Sequence, residues 1–201
     1  MKTSQSALLA FVLAVAFSAL PAFAGSVQMQ FNGLPTGNSY SGEATYPYDI
    51  SVNGGPNQWM MCIGFNEHIS GGEIWRATVG SIGSLDLNTH LVDYEAAFLF
   101  EMAVADKGAD PNIQAAVWYL FEPTFSLTPE AQGYVAWAQN QTYQQGEFGN
   151  VSLYTAIPGS ENGNLGTAQS FLASTPEPGT LMLLGSGMIG AASLLRRKAT
   201  S

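Results

Sequence analysis

The sequence predicts an α+β domain: a β-rich first half, folded as a small sandwich or barrel, followed by about three short helices. Up to about Leu91, apolar and polar residues alternate between turns rich in Gly and Asn, whereas after Asp93 apolar residues recur three and four positions apart. Cys62 is the sole cysteine, so no disulfide within the chain is available and the core must hold the fold.

The elements follow in order. Val27-Gln28-Met29-Gln30-Phe31 alternates strictly, and Asn32-Gly33 ends it. Asn53-Gly54-Gly55-Pro56 marks the next turn and leads into a dense apolar run from Trp59 to Phe65. Gly71-Gly72 precedes a second alternating stretch, Glu73 to Val79. Tyr94, Ala97, Phe98 and Met102 then lie along one helical face running to about Ala105. Asp110-Pro111 supplies an N-cap and a proline at the first helical position, opening a helix through Phe121. Thr128-Pro129-Glu130 repeats that start for a third helix, which ends near Asn140. A strand is expected from Val151 to Ile157, and residues 161–175, rich in Ser, Gly and Asn, read as a linker. These boundaries give a folded domain over 25–160.

Both ends carry targeting features. Lys2, the apolar run Ala7 to Leu20 and the small-x-small triplet Ala22-Phe23-Ala24 form the pattern of a cleavable signal helix over residues 1–24, with signal peptidase cutting after Ala24. An uncleaved anchor fits less well, because the run is short and Pro21 interrupts it. At the other end, Gly179 to Leu195 is a 17-residue stretch without charge, followed by Arg196-Arg197-Lys198. As a helix it would span about 26 Å, enough for a single short transmembrane crossing. The basic triplet is expected to stay on the cytoplasmic side of the inner membrane, which leaves the domain outside. Pro176 and Pro178 cannot sit inside a helix, so Glu177 is expected on an extended, accessible segment next to the membrane.

The order of these parts over residues 176–198 resembles the PEP-CTERM sorting signal of Gram-negative bacteria. That resemblance implies processing by the membrane protease-transferase exosortase, with Pro176, Glu177, Pro178, Arg196, Arg197 and Lys198 as the signal. It further implies transient anchoring, then a place at the cell surface or in the extracellular biofilm matrix.

Charge narrows the function of the exported part. From Glu43 to Glu161 there are 14 Asp and Glu, against only Arg76 and Lys107 between Gly25 and Thr175, a formal charge of −12. Nucleic acid is excluded as a partner, since phosphate binding needs clustered cations. The Gly-rich turns lack a phosphate-loop pattern, and Asp106, Asp110 and Asn112 do not fit a calcium-loop spacing, so neither a metal nor a cofactor is expected.

Two stretches remain, "WMMCIGFNEHI" around Cys62 and "NIQAAVWYLF" around Gln114. Gln114 shares a helical face with Val117, Trp118 and Phe121, and a buried amide there needs a partner. Met61-Cys62-Ile63 on a strand and Ile113-Gln114-Ala115-Ala116-Val117-Trp118 on a helix together resemble the bacterial thioester domains of surface adhesins, as does the helix Asp93 to Met102. The resemblance implies that the Cys62 thiol displaces ammonia from Gln114 to leave an internal thioester, an electrophile for a partner's amine. His68 or His90 would be candidate proton relays.

Three other readings stand beside it. Cys62 as a small buried hydrophobe, with Gln114 bonded to backbone, is an ordinary structural role. A non-covalent exopolysaccharide-binding protein would use exposed rings among Trp59, Trp75, Trp118 and Trp137, of which Trp75 and Trp118 have core-like spacing. A cysteine hydrolase pairing Cys62 with His68 or His90 ranks lowest, because an apolar setting raises a thiol's pKa. A non-enzymatic surface protein is therefore expected.

Overall fold

The computed structural model describes residues 25–124, 126–162 and 168–175. Its first strand, β1 (Ser26–Gly33), keeps the alternation of its sequence: Met29 and Phe31 are buried and Gln28 is exposed. β2 (Ser39–Tyr40) and β3 (Glu43–Ala44) make a separate two-stranded hairpin. β4 (Tyr48–Val52) and β5 (Asn57–Cys62) are joined by the predicted Asn-Gly turn. Asn53 and Gly54 adopt φ of 51° and 69° there, which these two residues do at low cost. The Asn53 side chain also accepts the Gln28 N–H at 2.9 Å, tying the turn to β1.

β6 (Ile74–Ser81), β7 (Val151–Ala156) and β8 (Phe171–Ser174) complete a closed barrel in the order β1-β4-β5-β8-β7-β6. Every neighbouring pair is antiparallel, and closure leaves no free sheet edge. Between β6 and β7 the chain forms three helices, α1 (Leu91–Asp106), α2 (Pro111–Phe121) and α3 (Pro129–Gln139). The predicted caps are present: Asp110 accepts the Asn112 N–H at 2.9 Å and Thr128 accepts the Ala131 N–H at 3.2 Å.

Two cores result. One fills the barrel with Met29, Ile50, Met60, Trp75 and Phe171; the other lies between the barrel and the helices, with Met61 and Leu172 against Tyr94, Phe100, Ile113 and Val117. β5 contributes to both, Met60 and Cys62 to the first and Met61 to the second. Burial on two faces explains why this strand reads as an unbroken apolar run. α1 is likewise covered on more than one side, since Ala96, Leu99, Phe100 and Ala103 are buried beside the predicted Tyr94 and Ala97.

The stretch read as a linker, 161–175, needs correction at its end. Phe171–Ser174 is β8, inserted between β5 and β7, so the folded unit runs from Gly25 to Thr175. Only four residues long, it lacks a recognisable alternation because Phe171, Leu172 and Ala173 are all buried. The expected signal helix over 1–24 and the expected transmembrane helix and basic tail over 176–198 lie outside the described residues. Among the described residues no helix is long and apolar enough to cross a membrane.

Candidate functional site

Cys62 ends β5 and is fully buried, its thiol donating to the Gly64 carbonyl at 3.0 Å. Gln114 lies in the first buried turn of α2 and is 1% exposed. The fold brings these two residues into direct contact: the Gln114 Nε2 amide donates to the Cys62 carbonyl at 2.6 Å. On the other side Gln114 Oε1 accepts the Tyr46 backbone N–H at 3.2 Å. Cys62 C=O sits at a strand end and Tyr46 N–H just before β4, so a side-chain amide supplies the partner that a further strand residue would have given. These two bonds fix which way the amide points.

Trp118, one turn beyond Gln114, is 2% exposed and packs edge-on against Phe65 with ring centroids 5.3 Å apart. Burial pushes the Cys62 thiol up to about 12, opposed by hydrogen bonding from the Trp118 side chain and the backbone at Gly64, and reinforced by the nearby carboxylates of Glu67 and Glu122. The thiol therefore rests protonated, in a dry setting. The Tyr48 hydroxyl is also raised, first by burial and then by Cys62 and Glu43, so it stays neutral as well.

The two carboxylates are fixed by the turn that follows β5. Glu122, just after α2, accepts the Phe65 N–H at 2.9 Å and a bond from the Asn66 side chain. Glu67 accepts the Ser170 N–H at 3.2 Å, while its backbone carbonyl accepts from the Gln169 side chain. Burial raises Glu67 above the usual carboxylate range, opposed by the Ser170 bond and, to a smaller extent, reinforced by the nearby Glu122.

Neither histidine joins this cluster by a hydrogen bond. His68 and His90 are both exposed, and His90 pairs with Asp93 at 2.9 Å. The charged groups acting on Cys62 are Glu67 and Glu122 instead. Sequence spacing could not reveal them, because the turn after β5 and the segment before β8 create the proximity. Tyr46 contributes through its backbone, which no residue pattern marks.

Among the tryptophans, Trp75 and Trp118 are buried, whereas Trp59 on β5 and Trp137 on α3 are 47% and 51% exposed. Asp106 and Asp110 spend their carboxylates on turns and caps, accepting the Asp110 N–H and the Asn112 N–H respectively. Among the described residues no group of three or more His, Cys, Asp or Glu is placed to hold a metal ion.

Two solved structures are similar to this chain at 11% identity. One is the N-terminal domain of the Streptococcus pyogenes pilus tip adhesin Cpa, with a TM-score of 0.39 over 74% of this chain and 92% of that one. The other is the N-terminal thioester domain of a surface protein from Clostridium perfringens, with a TM-score of 0.43 over 74% and 98%. No curated protein matches the sequence. Residues 174–198 match the model of the PEP-CTERM protein-sorting motif, which begins at Ser174, the last residue of β8.

Proposed function

We propose that this is an exported, non-enzymatic surface or matrix protein whose barrel-and-helix domain forms an internal thioester between Cys62 and Gln114 and attaches covalently to an amine on a partner. The observation that carries this reading is the double anchoring of the Gln114 amide, to the Tyr46 N–H and to the backbone carbonyl of the molecule's sole cysteine. Thiol attack on an unactivated amide is slow in water, and fixed proximity can supply several kcal/mol of that barrier. The Tyr46 N–H already bonds the oxygen on which negative charge would develop. The Trp118 side chain bears on the sulfur, and the apolar wall it makes with Phe65 would slow hydrolysis of the product.

The sorting motif supports export and surface placement, with exosortase as the processing partner. Before processing, the apolar stretch 179–195 would hold the domain outside the inner membrane. Because β8 ends at Ser174 and Thr175 N–H still bonds the Asn150 carbonyl at 2.7 Å, processing must leave the chain intact through Thr175. Protein recovered outside the cell should therefore retain Thr175 and lack Arg196 to Lys198; recovery with the triplet attached would make the tail a plain anchor.

The exposed rings of Trp59 and Trp137 favour a second reading, non-covalent binding of an exopolysaccharide. Intact mass separates the two. The wild-type chain should weigh one ammonia less than its sequence, and the Cys62→Ala chain should show no deficit. A full-weight wild type would end the covalent reading, and glycan retention abolished by Trp59→Ala or Trp137→Ala would favour the second.

A further inference from the structure

We infer that Glu67 is the acid–base group of the Cys62–Gln114 pair, taking the thiol proton and delivering it to the departing ammonia; this rests on the thioester reading above. The placement comes from Gly64. The Cys62 thiol donates to the Gly64 carbonyl at 3.0 Å, so its proton points towards the turn after β5. On the same residue, a Cβ built at Gly64 would meet the Glu67 Oε2 at 2.5 Å, so the carboxylate is folded tightly against this glycine. One residue is thus flanked by the sulfur and by the carboxylate. The Ser170 N–H, at 3.2 Å, holds Glu67 in that position.

Glu122 does not fill this role equally well. Its Oε1 accepts the Phe65 N–H at 2.9 Å and its other oxygen accepts from Asn66, so it clamps the turn. The titratable groups facing Glu67 and the thiol are Glu122 at the end of α2, Cys62 on β5 and, through Cys62, Tyr48 on β4. Partial burial raises Glu67 above the usual carboxylate range, the Ser170 bond opposes that rise and the nearby Glu122 adds to it.

The step balances without any other reactant. Ionised Glu67 accepts the proton from Sγ, and the thiolate attacks Gln114 Cδ, forming the S–C bond while charge develops on Oε1. The C–Nε2 bond then breaks as Glu67 returns the proton to nitrogen. The thioester and one ammonia are formed, and Glu67 ends ionised as it began.

The test follows ammonia loss by intact mass after refolding the full chain in detergent micelles, across a pH series, for wild type, Glu67→Gln, Glu67→Asp and Gly64→Ala. Wild type should lose ammonia at a rate that falls in acid as Glu67 becomes protonated. Glu67→Gln should be slower by on the order of 100-fold, the usual scale for a positioned base, and should lack the acid limb. Glu67→Asp should recover part of the rate. Gly64→Ala pushes the carboxylate aside without removing its charge and should slow the reaction as well, which keeps the test open if Glu67→Gln does not refold. Equal rates and pH profiles in wild type and a folded Glu67→Gln or Gly64→Ala would overturn the assignment of Glu67. A wild type that loses no ammonia would overturn the thioester reading itself, and this inference with it.

Discussion

Helix α2 carries two polar side chains one turn apart, Asp110 at its cap and Gln114 in its first buried turn, and their surroundings differ in kind. Asp110 is half-buried and accepts from Asn112 and from the Tyr134 hydroxyl at 2.8 Å. These bonds overcome the cost of partial burial and hold its carboxyl below the usual range, while the same contact pushes Tyr134 up to about 12. Gln114 instead bonds only to backbone outside its own helix, at Tyr46 and Cys62, and is closed off from water. A cap stabilises by satisfying a helix end. A buried amide between two backbone groups stabilises in the same way, but here one of those groups belongs to the molecule's sole cysteine.

Truncation separates the two roles by size. Gln114→Ala leaves both the Tyr46 N–H and the Cys62 carbonyl buried and unpaired, at about 1–3 kcal/mol for each group. The expected loss is about 2–6 kcal/mol, read from the midpoint shift in urea unfolding, together with complete loss of any mass deficit. A loss under about 1 kcal/mol would show that the amide is not the partner of those groups.

Asp110→Ala should cost less, about 1–2 kcal/mol, the usual range for an N-cap, and should leave ammonia loss intact. Its pH dependence has a definite sign. The folded-state pKa is lowered, so the carboxylate's contribution is present above the ordinary carboxylate range near about 4 and disappears as pH falls through the lower folded value. Asp110→Asn should flatten the acid side of the stability curve in that window. An unchanged acid limb would assign it to other carboxylates.

The same contrast explains what could be read from sequence. Asp110-Pro111 and Thr128-Pro129 were legible because a cap acts on its own helix, two or three residues away. The barrel strands β1 and β6 were legible from alternation, and Gln114 from its oddity on an apolar face. β4 was not anticipated although Tyr48-Asp49-Ile50-Ser51-Val52 alternates apolar and polar residues, so its signal was present in the sequence and was missed. β8 hid within a Ser- and Gly-rich surround. Glu67 escaped for the same reason as β8: its place depends on Ser170, just before that strand, more than 100 residues away. Local chemistry shows in sequence, whereas contacts made by barrel closure do not.

The most direct measurement is methylamine labelling of the folded wild-type chain, with the modified residue located by peptide mass spectrometry. The expected result is one methylamine on the Gln114 side chain and a Cys62 thiol that becomes titratable only after that reaction. An unlabelled Gln114, together with a Cys62 thiol that titrates fully once the untreated chain is unfolded, would contradict the thioester and leave the pair a structural one.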